Sequence, residues 1–231
     1  MTAPERIFQR TWLLLDRHDA ATLERLDRLL GDWADAFEVL VEDQQALQRA
    51  ASLPFTREIG ATTGLLRGLD AVVLERALVR EQARLRRALE LIAGRRGTTW
   101  QLRSQPSAAA PTKEFGETDL LVLDTRRSAA FPSRLRRSYG AMLEAPCPVL
   151  VLQYPGDPRE VAVLTGYSER DEKAIELASR IARHAGLPLR LITARNLPRL
   201  SLSSLLVVSR KDPRLDLRNR LPETQAVLLT P

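Results

Sequence analysis

The stretch Asp119-Leu-Leu-Val-Leu-Asp-Thr-Arg-Arg-Ser128 decides the fold. It is an apolar strand ending in a basic turn, followed by a helical pattern over 132–145 and a second apolar strand, 148–152, within Ala145-Pro-Cys-Pro-Val-Leu-Val-Leu152. The unit recurs. Ser204-Leu-Leu-Val-Val-Ser-Arg-Lys-Asp-Pro213 is followed by a short helical stretch and then Thr224-Gln-Ala-Val-Leu-Leu-Thr-Pro231. A repeated strand, turn, helix and strand predicts each copy's structure from the other. Continuous apolar runs of this length are what strands buried on both faces of a parallel sheet require.

Working outward, Thr11-Trp-Leu-Leu-Leu-Asp16 reads as a strand. Leu23, Leu26, Leu29 and Leu30 recur at helical spacing over 20–31, and Phe37-Glu-Val-Leu-Val41 is a second strand. Strand, helix and strand in this order form a crossover unit and imply a parallel sheet. Residues 44–69 are irregular, broken by Pro54, Gly60, Gly64 and Gly68. The longest helical pattern runs from Leu69 to Ala93 and has Val72, Val73, Ala77, Leu85, Ala88, Leu89 and Ile92 on one face, with Gly94 as its stop signal. Thr98–Leu102 reads as a strand, and the Pro- and Ala-rich segment 105–117 as a loop.

Tyr154-Pro-Gly-Asp-Pro158 is a turn-rich linker and marks the boundary between two units, 1–153 and 158–231. After it come a strand over 160–164, a helix over 171–185 ending at Gly186, and a strand over 188–193. Only nine residues, 195–203, then precede the strand at Ser204, too few for a helix, strand and helix. The second unit is therefore an abridged version of the first, which carries the long helix of about 69–94 as an insertion. The fold class is α/β, doubly wound around a parallel sheet, in two tandem domains.

Ala-Pro-Cys-Pro-Val-Leu-Val at 145–151, preceded by the strand 119–124 and an amphipathic helix, resembles the C-terminal end of a universal stress protein domain. Val41-Glu-Asp43 through Leu53-Pro-Phe-Thr-Arg-Glu-Ile-Gly60 is similar to members with a long insertion after the second strand. The resemblance covers nearly the whole chain. It implies the architecture shared with adenine nucleotide alpha hydrolases: a five-stranded parallel sheet, often dimeric through the last strand, with ATP bound in many members. ATP-binding members carry Gly-x-x-Gly, nine residues, then Gly-Ser or Gly-Thr. Those places fall here on Asp124, Arg127, Arg137 and Ser138, of which only Ser138 matches. Glycines there let backbone N–H groups approach phosphate at a helix N-terminus, and side chains block that approach. The family's acidic turn after the first strand corresponds to Asp16, and in the second unit to Thr165-Gly-Tyr-Ser168. Asp16 is equally suited to capping the helix that follows it.

The candidate nucleotide or anion site is thus Asp16, Asp124, Arg126, Arg127, Arg137 and Ser138 in the first unit. Its counterpart in the second is Gly166, Ser168, Arg210 and Lys211. The sites are degenerate, so no cofactor is expected; ATP held through arginine side chains is the alternative.

Charge supports an anionic partner. Residues 124–140 hold five arginines against Asp124 alone, and 195–220 hold six arginines and Lys211 against Asp212 and Asp216. Such clusters attract nucleotides, nucleic acid or an acidic protein, although a solvated face explains them too. No reading helix or stacking platform accompanies them. Neither histidine, His18 or His184, is paired with a nucleophile elbow, and no metal-ligand spacing, Walker loop or Rossmann fingerprint occurs. The expectation is a protein that is not an enzyme. Cys147 is the sole cysteine, which excludes a disulfide framework. The N-terminal apolar run is too short for a signal-peptide core and no run approaches a membrane span, so a cytoplasmic location follows by default. Partners are expected to be proteins or a second copy. Within the chain, the strand at 149–152 is expected to pair with that at 227–230 as an intramolecular pseudo-dimer, because an exposed apolar edge is a liability.

Overall fold

A computed structural model describes residues 6–15, 20–30, 33–42, 45–53, 56–59, 64–105, 114–124, 144–154, 156–166, 169–212 and 223–231. Along the first part run β1 (Phe8–Leu15), α1 (Ala20–Leu30), β2 (Ala34–Glu42), α2 (Gln45–Ser52), the hairpin β3 (Arg57–Ile59) and β4 (Leu66–Gly68), α3 (Ala71–Arg96), β5 (Thr99–Gln105), β6 (Leu120–Asp124) and β7 (Val149–Leu152). The rest is β8 (Glu160–Leu164), α4 (Glu169–Ala185), β9 (Leu189–Ile192), a 3-10 helix (Ala194–Arg199), β10 (Ser204–Ser209) and β11 (Ala226–Thr230).

Nine strands form one sheet in the order β5-β2-β1-β6-β7-β11-β10-β8-β9. Every neighbouring pair is parallel except β7 and β11, which run antiparallel with Val227 opposite Val151 and Leu228 opposite Leu150. The pairing of 149–152 with the final strand, expected from the sequence, is present. Both edges that the junction closes are fully buried, and leaving either in water would expose a row of unpaired backbone groups. The strand orders on the two sides correspond, β8, β9, β10 and β11 standing where β2's side has β1, β2, β6 and β7. No strand among the described residues takes the place of β5 beyond β9.

The sheet is apolar on both faces, as a parallel sheet covered on both sides must be. One face carries Leu13, Val39, Val122, Val163 and Val207 and is roofed by Leu26 of α1, Leu89 of α3 and Ile181 of α4. The other carries Trp12, Leu40, Leu123, Val151, Val208 and Leu229, packed with Phe115, Ala145 and Cys147.

Several boundaries differ from the sequence reading. Residues 44–69 hold α2 and a two-stranded hairpin outside the main sheet. Gly94 does not stop α3; the helix continues to Arg96 and ends where Gly97 takes a left-handed φ of 62° and donates its N–H to Ala93 O. Asp70 caps the other end by accepting the N–H groups of Val72 (2.8 Å) and Val73 (3.1 Å). Only Leu85, Ala88, Leu89 and Ile92 of the expected apolar face are buried, while Val72 and Val73 are exposed. A 26-residue helix is roughly 39 Å long and outruns the sheet it roofs. The first-repeat helix placed at 132–145 lies outside the described residues up to 143, and Glu144 and Ala145 are not helical.

Candidate functional site

Doubly wound sheets bind ligands beyond the C-terminal ends of the strands, where the strand order reverses. In the first half that point lies past β1 and β6, and in the second past β8 and β10. The antiparallel junction turns one half over relative to the other, so the two points open on opposite edges of the sheet. The candidate residues that are described, Asp124 on one side and Gly166, Arg210 and Lys211 on the other, therefore fall in two separate groups.

Of the first group, Asp124 is the last residue of β6, in register with Leu152. Asp16, Arg126, Arg127, Arg137 and Ser138 lie outside the described residues, as does Ser168 of the second group.

Gly166, Arg210 and Lys211 lie past the C-terminal ends of the paired strands β8 and β10. Thr165 closes β8 by donating both its N–H (2.8 Å) and its hydroxyl (3.2 Å) to Ile192 O. Gly166 follows with a φ of 113°, a conformation that L side chains rarely adopt. Its N–H donates to Asp171 Oδ2 at 2.7 Å. Asp171 belongs to the first turn of α4 and is buried, in a segment that also carries Glu169 and Glu172. The turn that leads into this helix thus has its N–H taken by a carboxylate, which sits favourably in the first turn of a helix.

Arg210 leaves β10 with its backbone N–H on Thr230 O (2.9 Å). Its guanidinium turns into the protein: Nη1 donates to Ala145 O and Nη2 to Cys147 O. Burial lowers the guanidinium's pKa from its ordinary value, with the Cys147 thiol opposing. Burial likewise pushes the Cys147 thiol up to about 11, against the pull of Arg210. Lys211 is exposed, and its neighbour Asp212 is buried with its N–H on Ser209 O (3.0 Å). Across the β7–β11 junction, Arg210 thus ties the second half to the loop that opens β7.

Sequence reasoning missed a polar cluster on the same edge. Asp119, fully buried, accepts from Trp12 Nε1 (2.9 Å), Arg10 Nε (3.2 Å) and the Gly116 N–H (2.9 Å). The Arg10 guanidinium also lies 5.3 Å from the Trp12 ring centroid. Glu38 stands opposite Trp12 in the β1–β2 register, and burial raises its pKa although Arg103 and Arg10 oppose the shift. Arg103 and Glu114 form an ion pair at 2.6 Å that holds Glu114 below its ordinary value. The available signal was Arg10-x-Trp12, two residues apart and so on one face of a strand. The cluster anchors segment 114–119 to β1 and β5. Among the described residues no group of three or more His, Cys, Asp or Glu is placed to hold a metal ion.

No family model and no curated protein matches the sequence. Solved structures do match over the whole fold. A universal stress protein from Archaeoglobus fulgidus superposes with a TM-score of 0.55 and 10% identity, covering 96% of this chain and 95% of that one. A putative universal stress protein from Pseudomonas aeruginosa gives 0.51 and 11%, covering 96% and 93%. The cytoplasmic domain of a prokaryotic cation chloride cotransporter gives 0.54 and 11%, covering 96% and 95%. The chain therefore has the α/β fold of the universal stress proteins, and the resemblance read from Ala145-Pro-Cys-Pro-Val149 holds at the level of fold. Among the described residues no helix is long and apolar enough to cross a membrane.

Proposed function

We propose that this is a universal-stress-protein-like regulatory protein that catalyses no reaction, has degenerate nucleotide sites and acts in the cytoplasm through protein interaction. Two tandem units, the second abridged, face each other across β7 and β11 as an intramolecular pseudo-dimer. The observation that carries the reading is the inward-turned Arg210: just past β10, where the resemblance places the second unit's phosphate turn, its guanidinium is committed to Ala145 O and Cys147 O. Side-chain capture of an anion there would cost Arg210 these two carbonyl bonds, and the Gly166 N–H past the neighbouring β8 is already taken by Asp171. The likeness to the cytoplasmic domain of a prokaryotic cation chloride cotransporter is in keeping with the cytoplasmic location proposed.

Thermal shift and calorimetric titration with ATP, AMP and short duplex DNA, at low and moderate salt, test the proposal. The expected result is no salt-resistant shift with any of the three. A salt-resistant shift confined to adenine nucleotides would replace it with an ATP-binding stress protein that uses arginine side chains. Binding that ignores the base and collapses as salt rises would indicate a basic adaptor for nucleic acid or an acidic partner.

A further inference from the structure

The edge of the sheet at β9 is built differently from its counterpart. In the first half β2 pairs along its outer side with β5, from Ala36 opposite Thr99 to Glu42 opposite Gln105, and α3 covers the adjoining face. Beyond β9 no described strand pairs, and no described helix stands where α3 would be. The consequence shows in the side chains. Leu189 and Leu191 are in register with Val161 and Val163, so they point to the face that α1, α3 and α4 roof elsewhere. They are 39% and 60% exposed, whereas Val39 and Val41 of β2 on that face are buried.

The backbone of this edge is open at Leu189 and Leu191, beyond which no described strand pairs. Pro188 O and Ile192 O accept from Val161 N–H and Thr165 N–H of β8. Donors and acceptors alternate sides along a strand, so the N–H and C=O groups of Leu189 and Leu191 and the N–H of Thr193 face outward, while Thr193 O accepts the Asn196 N–H (2.9 Å) of the 3-10 helix that follows. Pro188, which lacks an N–H, falls on the inner side and subtracts nothing from the outer edge. Arg190, the residue that would guard such an edge, points to the opposite face from the leucines, with its guanidinium 4.0 Å from Glu160.

We infer that β9 is a docking edge for a second copy of this chain, which pairs antiparallel through its own β9 about a two-fold axis. A pairing centred on Leu191 suits the observed geometry. It places outward-facing Leu191 opposite its symmetry mate, so the two exchange both backbone bonds and bring their side chains together on the apolar face. It sets Arg190 against Ile192 of the second copy and keeps the two guanidinium groups apart. The contact closes on itself, whereas β9 on the β5 edge of another copy would propagate without end. The chain already joins its two halves by antiparallel edge strands at β7 and β11, and β9 repeats that solution between copies. A four-residue strand buries less than the roughly 800 Å² per partner of a standard interface, so the association is weak and concentration-dependent.

Sedimentation velocity on the full chain across the micromolar range tests this, with Leu191→Arg and, as a control on another exposed apolar residue, Val79→Arg. The wild type is expected to pass from monomer to dimer as concentration rises. Leu191→Arg should weaken the dimer about tenfold or more, an effect equivalent to ~1.4 kcal/mol or above, while Val79→Arg leaves it unchanged. Amide hydrogen exchange of the wild type gives an independent readout: protection at Leu189, Leu191 and Thr193 should grow with concentration. A wild type monomeric throughout, species larger than dimers, a dimer untouched by Leu191→Arg, or exchange at β9 indifferent to concentration would each overturn the inference.

Discussion

The carboxylate of Asp171 accepts the backbone N–H of Gly166 at 2.7 Å, so an acid from inside α4 occupies the mouth of the helix it belongs to. The bond closes the tight turn between β8 and the start of α4 at Glu169.

Replacing Asp171 by Ala removes this closure. The expected cost is about 1–2 kcal/mol of stability, the range for a lost helix-terminal acceptor, measured by urea denaturation. Asp171→Asn should recover part of it, because the amide oxygen still accepts the Gly166 N–H. Equal losses in both variants would show that charge at the helix terminus, and not the hydrogen bond, is what matters.

The β7–β11 junction makes a different claim. Leu228 and Leu150 are opposite one another, fully buried, and share a continuous core with residues of both halves. Leu228→Ala is expected to cost about 2–5 kcal/mol by leaving a cavity at that seam. The wild type should unfold in one transition followed equally by tryptophan fluorescence, which reports Trp12, Trp33 and Trp100 of the first half, and by far-UV dichroism, which reports both. Two separated transitions would mean that the halves are coupled more weakly than their shared core implies.

Asp119 offers a test of the cluster that holds segment 114–119. Asp119→Ala leaves Trp12 Nε1 buried without its acceptor and releases Arg10 and the Gly116 N–H together. Stripping one member from such a group is expected to cost about 3–5 kcal/mol, read by denaturant unfolding. Arg10→Ala should cost less, because Arg10 is substantially exposed and Asp119 keeps two donors.

The sequence made some of this plain and left the rest hidden, for physical reasons. Leu120–Leu123, Val149–Leu152, Leu205–Val208 and Val227–Leu229 are apolar without interruption, the run that strands buried on both faces require. That pattern exposed the parallel sheet and, through the edge it would otherwise leave bare, the pairing of β7 with β11. Gly94 misled because a glycine near a helix end is a stop signal only where the backbone turns left-handed, and here Gly97 does so. Val72 and Val73 have the right spacing for the buried face of α3, but spacing cannot tell where the helix outruns its support. The bond from Asp171 to Gly166 was out of reach because it depends on how the chain turns after β8. Asp119 was read as the first letter of a strand; its role comes from Arg10 and Trp12, more than a hundred residues earlier.

Cys147 supplies the pH dependence. Its thiol is buried in the loop before β7, and burial raises its pKa from 9.0 to about 11. In the native state it is protonated at neutral pH and shielded, so a disulfide reagent should label it slowly near pH 8 and rapidly once urea unfolds the chain. The linkage has a definite sign. A thiol with a folded pKa above its unfolded value favours the native state fully below the unfolded pKa. That contribution is lost as pH climbs from about 9 through about 11, because the unfolded chain releases the proton first. Denaturation midpoints measured across that window should therefore fall more steeply for the wild type than for Cys147→Ala, after correction for the variant's own loss of packing. Parallel pH profiles for the two proteins would show that the thiol is not held in its protonated form by the fold.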